Sequence, residues 1–342
     1  MGKNIAMTNG KFEGLIHISN DRGLFPMVAT DQRGSLRRMI NPADPDDVTA
    51  EQMKNAKMSL VKSLAGKESP ARTSGILVDP EYSYEKSFIK ACNIRADVGV
   101  LMSIEASGYG GQGEFAPKIQ VFSGLSVDEA VEKIKGRGAS AAKMLVHYRP
   151  DSPTRKYQES MVKKVGEACV RTDITFLLEP VCHSLRDGPH KKKNAREFSE
   201  IKPRLVIDTA RELTKPEYHV DVLKAEFPLN FKYAEELGQD PAEACKELTE
   251  ASQVPWVVLS AGVDYEEFRE VVKYAAKNGA SGFLCGRAVW KDSVGREDMD
   301  HFLMTTGVRR LNELADIVEV NSTPWYKKYV DSLSDIELIR GE

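Results

Sequence analysis

Two lysines of this 342-residue sequence lie inside apolar runs of the kind that form buried β-strands. Lys143 belongs to the run Ala141–Val146, and Lys224 belongs to the run Val220–Ala225. Glu179 follows the apolar run that lies between them in the sequence. Lysine is rarely buried without a partner or a purpose. One such lysine could simply extend its amine outward to solvent, but two on alternate strands, with a carboxylate on the strand between them, favour a chemical role.

These three side chains have the types that an imine-forming enzyme requires. Burial and a neighbouring ammonium both disfavour the charged form of a lysine, so one of the two amines is expected to be neutral and nucleophilic near neutral pH. A carboxylate beside that amine can carry protons during carbinolamine formation, dehydration and cleavage of a carbon–carbon bond. The sequence therefore predicts that one lysine attacks a carbonyl group and that Glu179 transfers protons.

The elements that must position these residues alternate regularly along the chain. Eight short runs rich in Val, Ile, Leu and Phe are predicted strands: Leu24–Thr30, Gly75–Val78, Val98–Ile104, Ala141–Val146, Ile174–Leu178, Val220–Ala225, Trp256–Leu259 and Gly282–Cys285. Most are continuously apolar, as in strands that are buried on both faces of a parallel sheet. Helical patterns lie between them at Thr49–Leu64, Ser126–Ile134, Tyr157–Cys169, Pro203–Leu213, Pro241–Ala251 and Tyr265–Lys277. Eight alternations predict an α/β fold, a single (β/α)₈ TIM barrel, whereas six or seven strands would favour an open doubly wound sheet.

No linker, repeat or low-complexity tract divides the chain, so residues 1–342 are expected to form one domain. The barrel core is predicted from about residue 24 to residue 315, with the N-terminal segment and the C-terminal tail packed on its ends. Trp325 and Tyr326 in the tail are interpreted as residues that dock it or form a subunit contact.

The ends of the last two predicted strands could bind a phosphate group. Ser260-Ala261-Gly262 ends the seventh strand, and Gly286-Arg287 ends the eighth. Small residues expose backbone N–H groups, a guanidinium adds positive charge, and barrel enzymes often bind phosphate in the loops after these two strands. The alternative is that the glycines only supply tight turns. A phosphate here and an amine on the sixth strand predict a phosphorylated ketone across the barrel mouth.

Composition excludes several other classes of protein. The 48 Lys and Arg residues against 51 Asp and Glu residues give a formal net charge of −3, which argues against a strongly basic nucleic-acid-binding surface. No apolar run approaches the roughly 20 residues that span a bilayer, and the N-terminus lacks the apolar stretch of a signal peptide. The five cysteines are scattered and form no C-x-x-C pair, which is typical of reduced cytoplasmic thiols. We expect a cytoplasmic enzyme with a small-molecule partner and without nucleic-acid or membrane partners, and both a monomer and a homo-oligomer stay open.

Five motifs together resemble the tagatose 1,6-bisphosphate aldolase family. They are Ala29-Thr30-Asp31-Gln32-Arg33-Gly34, Leu178-Glu179-Pro180, Val222-Leu223-Lys224-Ala225-Glu226, Leu259-Ser260-Ala261-Gly262 and Gly282-Phe283-Leu284-Cys285-Gly286-Arg287-Ala288. They occur in order on five predicted strand ends, and the resemblance extends from about residue 24 to residue 330. It implies a class I aldolase, a (β/α)₈ barrel that uses no metal and no cofactor. The expected products are dihydroxyacetone phosphate and glyceraldehyde 3-phosphate, formed from a ketohexose 1,6-bisphosphate such as tagatose 1,6-bisphosphate or an epimer.

The resemblance also implies a role for each catalytic residue. Lys224 would form the Schiff base with the C2 ketone, and Glu179 would shuttle the proton. Lys143 would lower the pKa of Lys224 and help to hold the substrate. Asp31 would hydrogen-bond the substrate or the lysines.

The remaining site residues are assigned by resemblance to substrate binding: Gln32, Arg33, Ser260, Gly262, Gly286 and Arg287. Ser260, Gly262 and Arg287 would hold the phosphate next to the ketone, and Arg33 would contact the anion at the far end of the substrate. The segment Ser35–Arg38 is more basic, and the loop Ser107–Gly113 richer in glycine, than expected for sugar-bisphosphate members of the family. Both are expected near the far anion, whose identity as phosphate or sulfonate stays open.

Other interpretations of the sequence are weaker. A 6-deoxy-6-sulfofructose 1-phosphate aldolase is the alternative enzyme, and a non-catalytic sugar-phosphate-sensing protein is the alternative from another class. The glycine-rich loop formally satisfies G-x-G-x-x-G, but a dinucleotide site requires its last glycine to open a helix, and Pro117 delays the next helix. The histidines show no metal-ligand spacing, and His147, after the fourth strand, is interpreted as a hydrogen-bonded bystander.

Overall fold

The computed structural model describes residues 5–83, 85–107, 120–184, 192–193 and 195–341. Its strands are β1 Ile5–Thr8, β2 Phe25–Ala29, β3 Gly75–Val78, β4 Gly99–Ser103, β5 Ala141–His147, β6 Thr175–Val181, β7 Val222–Ala225, β8 Trp256–Leu259, β9 Gly282–Cys285 and β10 Ile336–Ile339. Strands β2 to β9 form a closed parallel barrel in sequence order, with β9 paired to β2. The predicted TIM barrel and its eight strands are confirmed.

The helices are α1 Asn9–His17, α2 Gly34–Ile40, α3 Ala50–Ala65, α4 Lys86–Cys92, α5 Val127–Gly136, α6 Arg155–Arg171, α7 Arg196–Leu213, α8 Phe231–Ala234, α9 Pro241–Ala251, α10 Tyr265–Lys277, α11 Arg287–Trp290, α12 Met299–Phe302 and α13 Val308–Asn321. The predicted starts of α3 and α5 are confirmed to within one residue, because each follows a capping box. Thr49 accepts from the backbone of Gln52, and Ser126 accepts from the backbone of Glu129. Within the described ranges, none of these helices is long and apolar enough to cross a membrane.

The predicted start of α7 at Pro203 is wrong. The helix begins at Arg196, and Pro203 lies inside it. Proline lacks the backbone N–H that would bond to the carbonyl four residues earlier, so it is expected at a helix start. Here the apolar positions on both sides of Pro203 keep the segment helical, since Phe198, Leu205 and Val206 are all buried.

The apolar core has two parts. One lies between the strands and the surrounding helices, and the other fills the barrel interior with residues such as Ala141, Leu177 and Val222. The interior part continues into Leu15 of α1 and into Trp325 of the C-terminal tail. These terminal segments therefore pack at the end of the barrel where the strands begin. That residues 1–342 form one domain stays a prediction.

Candidate active site

The alternation of side chains along each strand places three charged residues inside the barrel. Ala141, Leu177 and Val222 face the barrel interior. Residues two positions apart on a strand share a face, so Lys143, Glu179 and Lys224 also point inward, one layer closer to the carboxyl ends of the strands. The layer below them, which contains Ala141, Leu177 and Val222, is apolar.

Glu179 bridges the two lysines. Its Oε1 lies 2.8 Å from Lys224 Nζ, and its Oε2 lies 2.9 Å from Lys143 Nζ. Lys143 Nζ also lies 2.8 Å from Asp31 Oδ2 and 2.9 Å from Glu105 Oε1. Lys143 thus has three carboxylate partners and no exposed surface, whereas Lys224 has one among the described residues.

The charged groups of this cluster keep one another ionised. Burial would lower the pKa of Lys143, but Asp31, Glu105 and Glu179 outweigh it and hold that pKa well above its usual value. Burial would raise the pKa of Asp31, but the ammonium groups of Lys143 and Lys224 outweigh it and hold that pKa well below its usual value. Lys143 is therefore a fixed cation at neutral pH, and Asp31 is a fixed anion.

Lys224 lines a cavity of about 800 Å³ at the carboxyl ends of the strands, and Glu179 lines it beside Lys224. Lys143 does not belong to the cavity wall. An amine with access to a ligand and a neighbouring carboxylate can form an imine, whereas a fully buried ammonium can act only through its neighbours.

One wall of the cavity contains the predicted phosphate residues Ser260, Gly262, Gly286 and Arg287. Gly262 has a φ of +81°, and a Cβ there would lie 3.0 Å from Cζ of Arg287. A Cβ on Gly286 would lie 2.7 Å from Nε2 of Gln32 and 2.9 Å from the carbonyl oxygen of Ala29. These glycines therefore permit close approach of neighbouring groups as well as a turn. The Arg287 guanidinium is partly exposed and makes no hydrogen bond or ion pair within the described part of the chain.

Gln32 lines the cavity, but Arg33 does not. The buried Oε1 of Gln32 has no hydrogen-bond partner among the described residues and can accept a bond from a ligand. Arg33 donates through Nη2 to the carbonyl oxygen of Glu105 at 3.1 Å. Arg37, in the basic segment that was expected near the far anion, donates to the carbonyl oxygen of Val48 and to the Tyr82 hydroxyl.

Several charged side chains also line the cavity. Lys193, Lys202 and Lys232 are among them, next to the carboxylates Glu226 and Glu267, and Lys193 Nζ lies 2.6 Å from Glu226 Oε1. Burial lowers the pKa of Lys202, whose Nζ donates to a backbone carbonyl. His147 faces the same space, and burial lowers its pKa to about 4, so its imidazole is neutral at pH 7.

Sequence reasoning missed two parts of this site. Glu105 directly follows the predicted third strand, and the rule that functional groups lie at the carboxyl ends of barrel strands could have identified it. Lys202 lies on α7, ahead of the predicted start of that helix, and no local pattern indicated its role. Residues 108–113 of the glycine-rich loop lie outside the described residues. In the described ranges, no three His, Cys, Asp or Glu side chains are grouped to hold a metal ion.

Comparison with known proteins identifies the family. The model of the DeoC/LacD family aldolases matches residues 25–292, which include all eight barrel strands. The chain belongs to the DeoC/LacD aldolase family. This DeoC/LacD aldolase is accordingly a carbon–carbon lyase, as the resemblance in the sequence predicted.

The chain also aligns over nearly its whole length with relatives that are named tagatose 1,6-diphosphate aldolases. It is 33% identical to the tagatose 1,6-diphosphate aldolase of Listeria monocytogenes, across 99% of this chain and 100% of the relative. It is 32% identical to tagatose 1,6-diphosphate aldolase 1 of Enterococcus faecalis, across 93% of this chain and 97% of the relative. The solved structure of a Schiff base forming fructose-1,6-bisphosphate aldolase superposes with a TM-score of 0.55 at 19% identity, across 90% of this chain and 98% of the other. This last similarity shows the shared barrel fold.

Proposed function

We propose that this aldolase reversibly cleaves a ketohexose 1,6-bisphosphate, tagatose 1,6-bisphosphate or an epimer, through a Schiff base on Lys224. The products are dihydroxyacetone phosphate and glyceraldehyde 3-phosphate. The observation that carries the proposal is the position of the Lys224 amine, which lines the cavity 2.8 Å from the Glu179 carboxylate. The names of the tagatose 1,6-diphosphate aldolases that align with the full chain support the same substrate class.

The reaction begins when Lys224 Nζ attacks the C2 carbonyl carbon and forms a carbinolamine. Loss of water, with proton transfer through Glu179, gives the imine. Glu179 then accepts the proton of the C4 hydroxyl as the C3–C4 bond breaks, and the electron pair of that bond forms an enamine on Lys224. Glyceraldehyde 3-phosphate leaves, the enamine is protonated at C3, and hydrolysis of the imine releases dihydroxyacetone phosphate.

The cationic groups of the cavity lining suit a substrate that carries two phosphates. Arg287 would pair with the phosphate next to the ketone, since its guanidinium can bind phosphate oxygens through parallel hydrogen bonds. Lys193, Lys202 and Lys232 would bind the second phosphate. Lys224 lines the same cavity, where its amine would meet C2 of such a substrate.

Trapping of the imine tests the proposal. Borohydride added with dihydroxyacetone phosphate is expected to add mass to Lys224, because it reduces the imine to a stable amine, and Lys224→Met is expected to abolish both labelling and cleavage. Lys143→Met is the matched control for the site of labelling, since it removes the other lysine of the cluster. Label on Lys143, or no label at all, would contradict the proposed mechanism.

A substrate panel that includes 6-deoxy-6-sulfofructose 1-phosphate then identifies the preferred ketose. EDTA is expected to leave the rate of cleavage unchanged.

Replacement of the proton shuttle gives a second test. Glu179→Gln is expected to lower kcat by about 10²- to 10⁴-fold, the usual contribution of a general acid–base group. The amide keeps the size of the side chain but cannot accept the proton of the C4 hydroxyl. Steady-state cleavage assays measure the effect, and a near-normal kcat would reject this role for Glu179.

A further inference from the structure

A buried ion pair between Lys57 and Asp79 lies beside the segment that carries Asp31. Lys57 of α3 and Asp79, which follows β3, have no exposed side-chain surface, and Lys57 Nζ lies 2.7 Å from Asp79 Oδ2. Asp79 also accepts hydrogen bonds from the backbone N–H groups of Glu81 and Tyr82 and from the Ser83 hydroxyl, at 2.8–2.9 Å. Both of its oxygens are therefore occupied, and the carboxylate is held rigidly.

The rest of the Lys57 ammonium is bound to the backbone around Asp31. Lys57 Nζ donates to the carbonyl oxygen of Thr30 at 2.7 Å and to that of Gln32 at 2.8 Å. An ammonium has three N–H donors, and the contact with Asp79 uses the third. The two carbonyl groups belong to the residues immediately before and after Asp31, so one side chain fixes the backbone on both sides of this residue.

The fixed backbone belongs to the active site. Asp31 lies on the segment between β2 and α2, and its carboxylate reaches Lys143 at 2.8 Å. Gln32 lines the cavity, with its side-chain amide against Gly286. A small rotation of this segment would therefore move both an anion of the lysine cluster and a polar group of the cavity wall.

Stability alone does not explain an ion pair at this position. The cost of removing two charges from water often equals or exceeds their mutual attraction, and apolar replacements of similar volume are frequently as stable. We propose that Lys57 is a positioning residue for the aldolase reaction, which holds the Thr30–Gln32 backbone so that Asp31 and Gln32 face the lysine cluster and the cavity. The catalytic consequence rests on the proposed function, whereas the positional consequence does not.

Two variants separate positioning from stability. Asp79→Asn keeps the ammonium beside the two carbonyl groups but leaves a buried charge without its partner, so it is expected to be clearly destabilised and to retain kcat within about threefold. The double variant Lys57→Met/Asp79→Asn leaves no unpaired charge but loses both bonds to the carbonyl groups. It is expected to unfold at a higher temperature than Asp79→Asn and yet to lose about 10- to 100-fold in kcat, with a smaller change in KM.

A matched ion pair at the other end of the barrel supplies the control. Lys11 of α1 lies 2.8 Å from Asp221, which precedes β7, and both side chains are largely buried. Lys11→Met/Asp221→Asn makes the same chemical change where the strands begin, and it is expected to leave kcat and KM unchanged. Parallel losses of kcat and of unfolding temperature in the Lys57 and Asp79 variants would show a merely structural role and overturn the proposal.

A crystal structure of the double variant without ligand tests the positional claim independently of the substrate. The Asp31 carboxylate is expected to leave its 2.8 Å contact with Lys143, and an unchanged contact would overturn the proposal. If the wild-type enzyme cleaves no ketose phosphate and forms no imine, the proposed function fails, and the position of Asp31 still decides the role of Lys57.

Discussion

The two lysines of the cluster differ in what surrounds them. Lys143 is bound by three carboxylates and lies outside the cavity wall, whereas Lys224 contacts one carboxylate and lines the cavity. The permanent charge of Lys143 orients Glu179, and Glu179 in turn contacts the Lys224 amine. Residue type alone could not distinguish the two lysines, because each lies in an apolar strand, but the number of their partners does.

Replacement of Arg287 tests whether this residue binds the phosphate next to the ketone. Arg287→Met is expected to lower kcat/KM for a ketose 1,6-bisphosphate by about 10- to 100-fold, because a hydrogen bond to a charged group contributes about 1.5–3 kcal/mol. Lys291→Met, one turn further along, is the control, since the Lys291 ammonium pairs with Asp264 instead. Steady-state assays should also show no difference between wild type and Arg287→Met on a ketose without the 1-phosphate. Equal kcat/KM values on the bisphosphate would exclude Arg287 as the phosphate ligand.

His147 gives a prediction for pH dependence. Burial lowers its pKa in the folded protein to about 4 from an ordinary value of 6.5, so the unfolded chain binds a proton first as the pH falls. Protonation of His147 therefore opposes folding. It should lower the unfolding free energy by about 2 kcal/mol when the pH falls from 7 to 5. Urea unfolding of wild type and His147→Asn at both pH values measures this contribution as the difference between the two pH-dependent losses. Identical losses in the two proteins would show that His147 does not titrate in this way.

At the scale of elements, the strands were predictable because burial on both faces leaves an unmistakable apolar run. Strands β2, β3 and β9 are buried at every residue. The pair β1 and β10 was not predicted, because its two strands are separated by nearly the whole chain. A long-range pairing of two short, partly exposed strands has no local signal in the sequence.

The helices show where local patterns fail. Capping boxes correctly located the starts of α3 and α5. The predicted α7 began too late, because proline usually marks a helix start and Pro203 instead lies inside this helix. Helix α4, seven residues long and without a side-chain cap, was missed altogether. Short helices of this kind depend on packing against the barrel, and amphipathic periodicity cannot be recognised over two turns.

The candidate site was predictable where it lies on strands and at their carboxyl ends, but not where side chains reach it from α3 and α7. Lys143, Glu179 and Lys224 are strand residues, and the alternation rule brings them together. Lys57 and Lys202 reach the site from α3 and α7, across the layer between helix and strand. A lysine in an amphipathic helix is normally exposed, so only the packing of these two helices against the barrel reveals the role of their side chains.

On the scale of the whole molecule, the candidate active site and the terminal segments that cover the barrel lie at opposite ends. The charged cluster lies at the carboxyl ends of the strands, whereas α1 and the C-terminal tail cover the ends where the strands begin. Gly14 of α1 shows how close this packing is, because a Cβ there would lie 2.2 Å from Oγ1 of Thr175 at the start of β6. Apolar side chains separate the two ends, so changes in the tail should alter stability and leave the active site unaffected.

Trp325 tests this separation. It is fully buried in the tail, with its ring centroid 6.3 Å from that of Phe12 on α1. Trp325→Ala is expected to lower the unfolding free energy by about 3–5 kcal/mol, the usual cost of removing a large buried aromatic side chain. Trp325→Phe should cost less, because the indole N–H has no hydrogen-bond partner in the described part of the chain to lose. Urea unfolding measures both effects, while kcat of the folded variants should match the wild type. A folded Trp325→Ala protein with reduced kcat would show instead that the two ends are coupled, since this side chain lies far from Lys224 and could act on it only through the barrel itself.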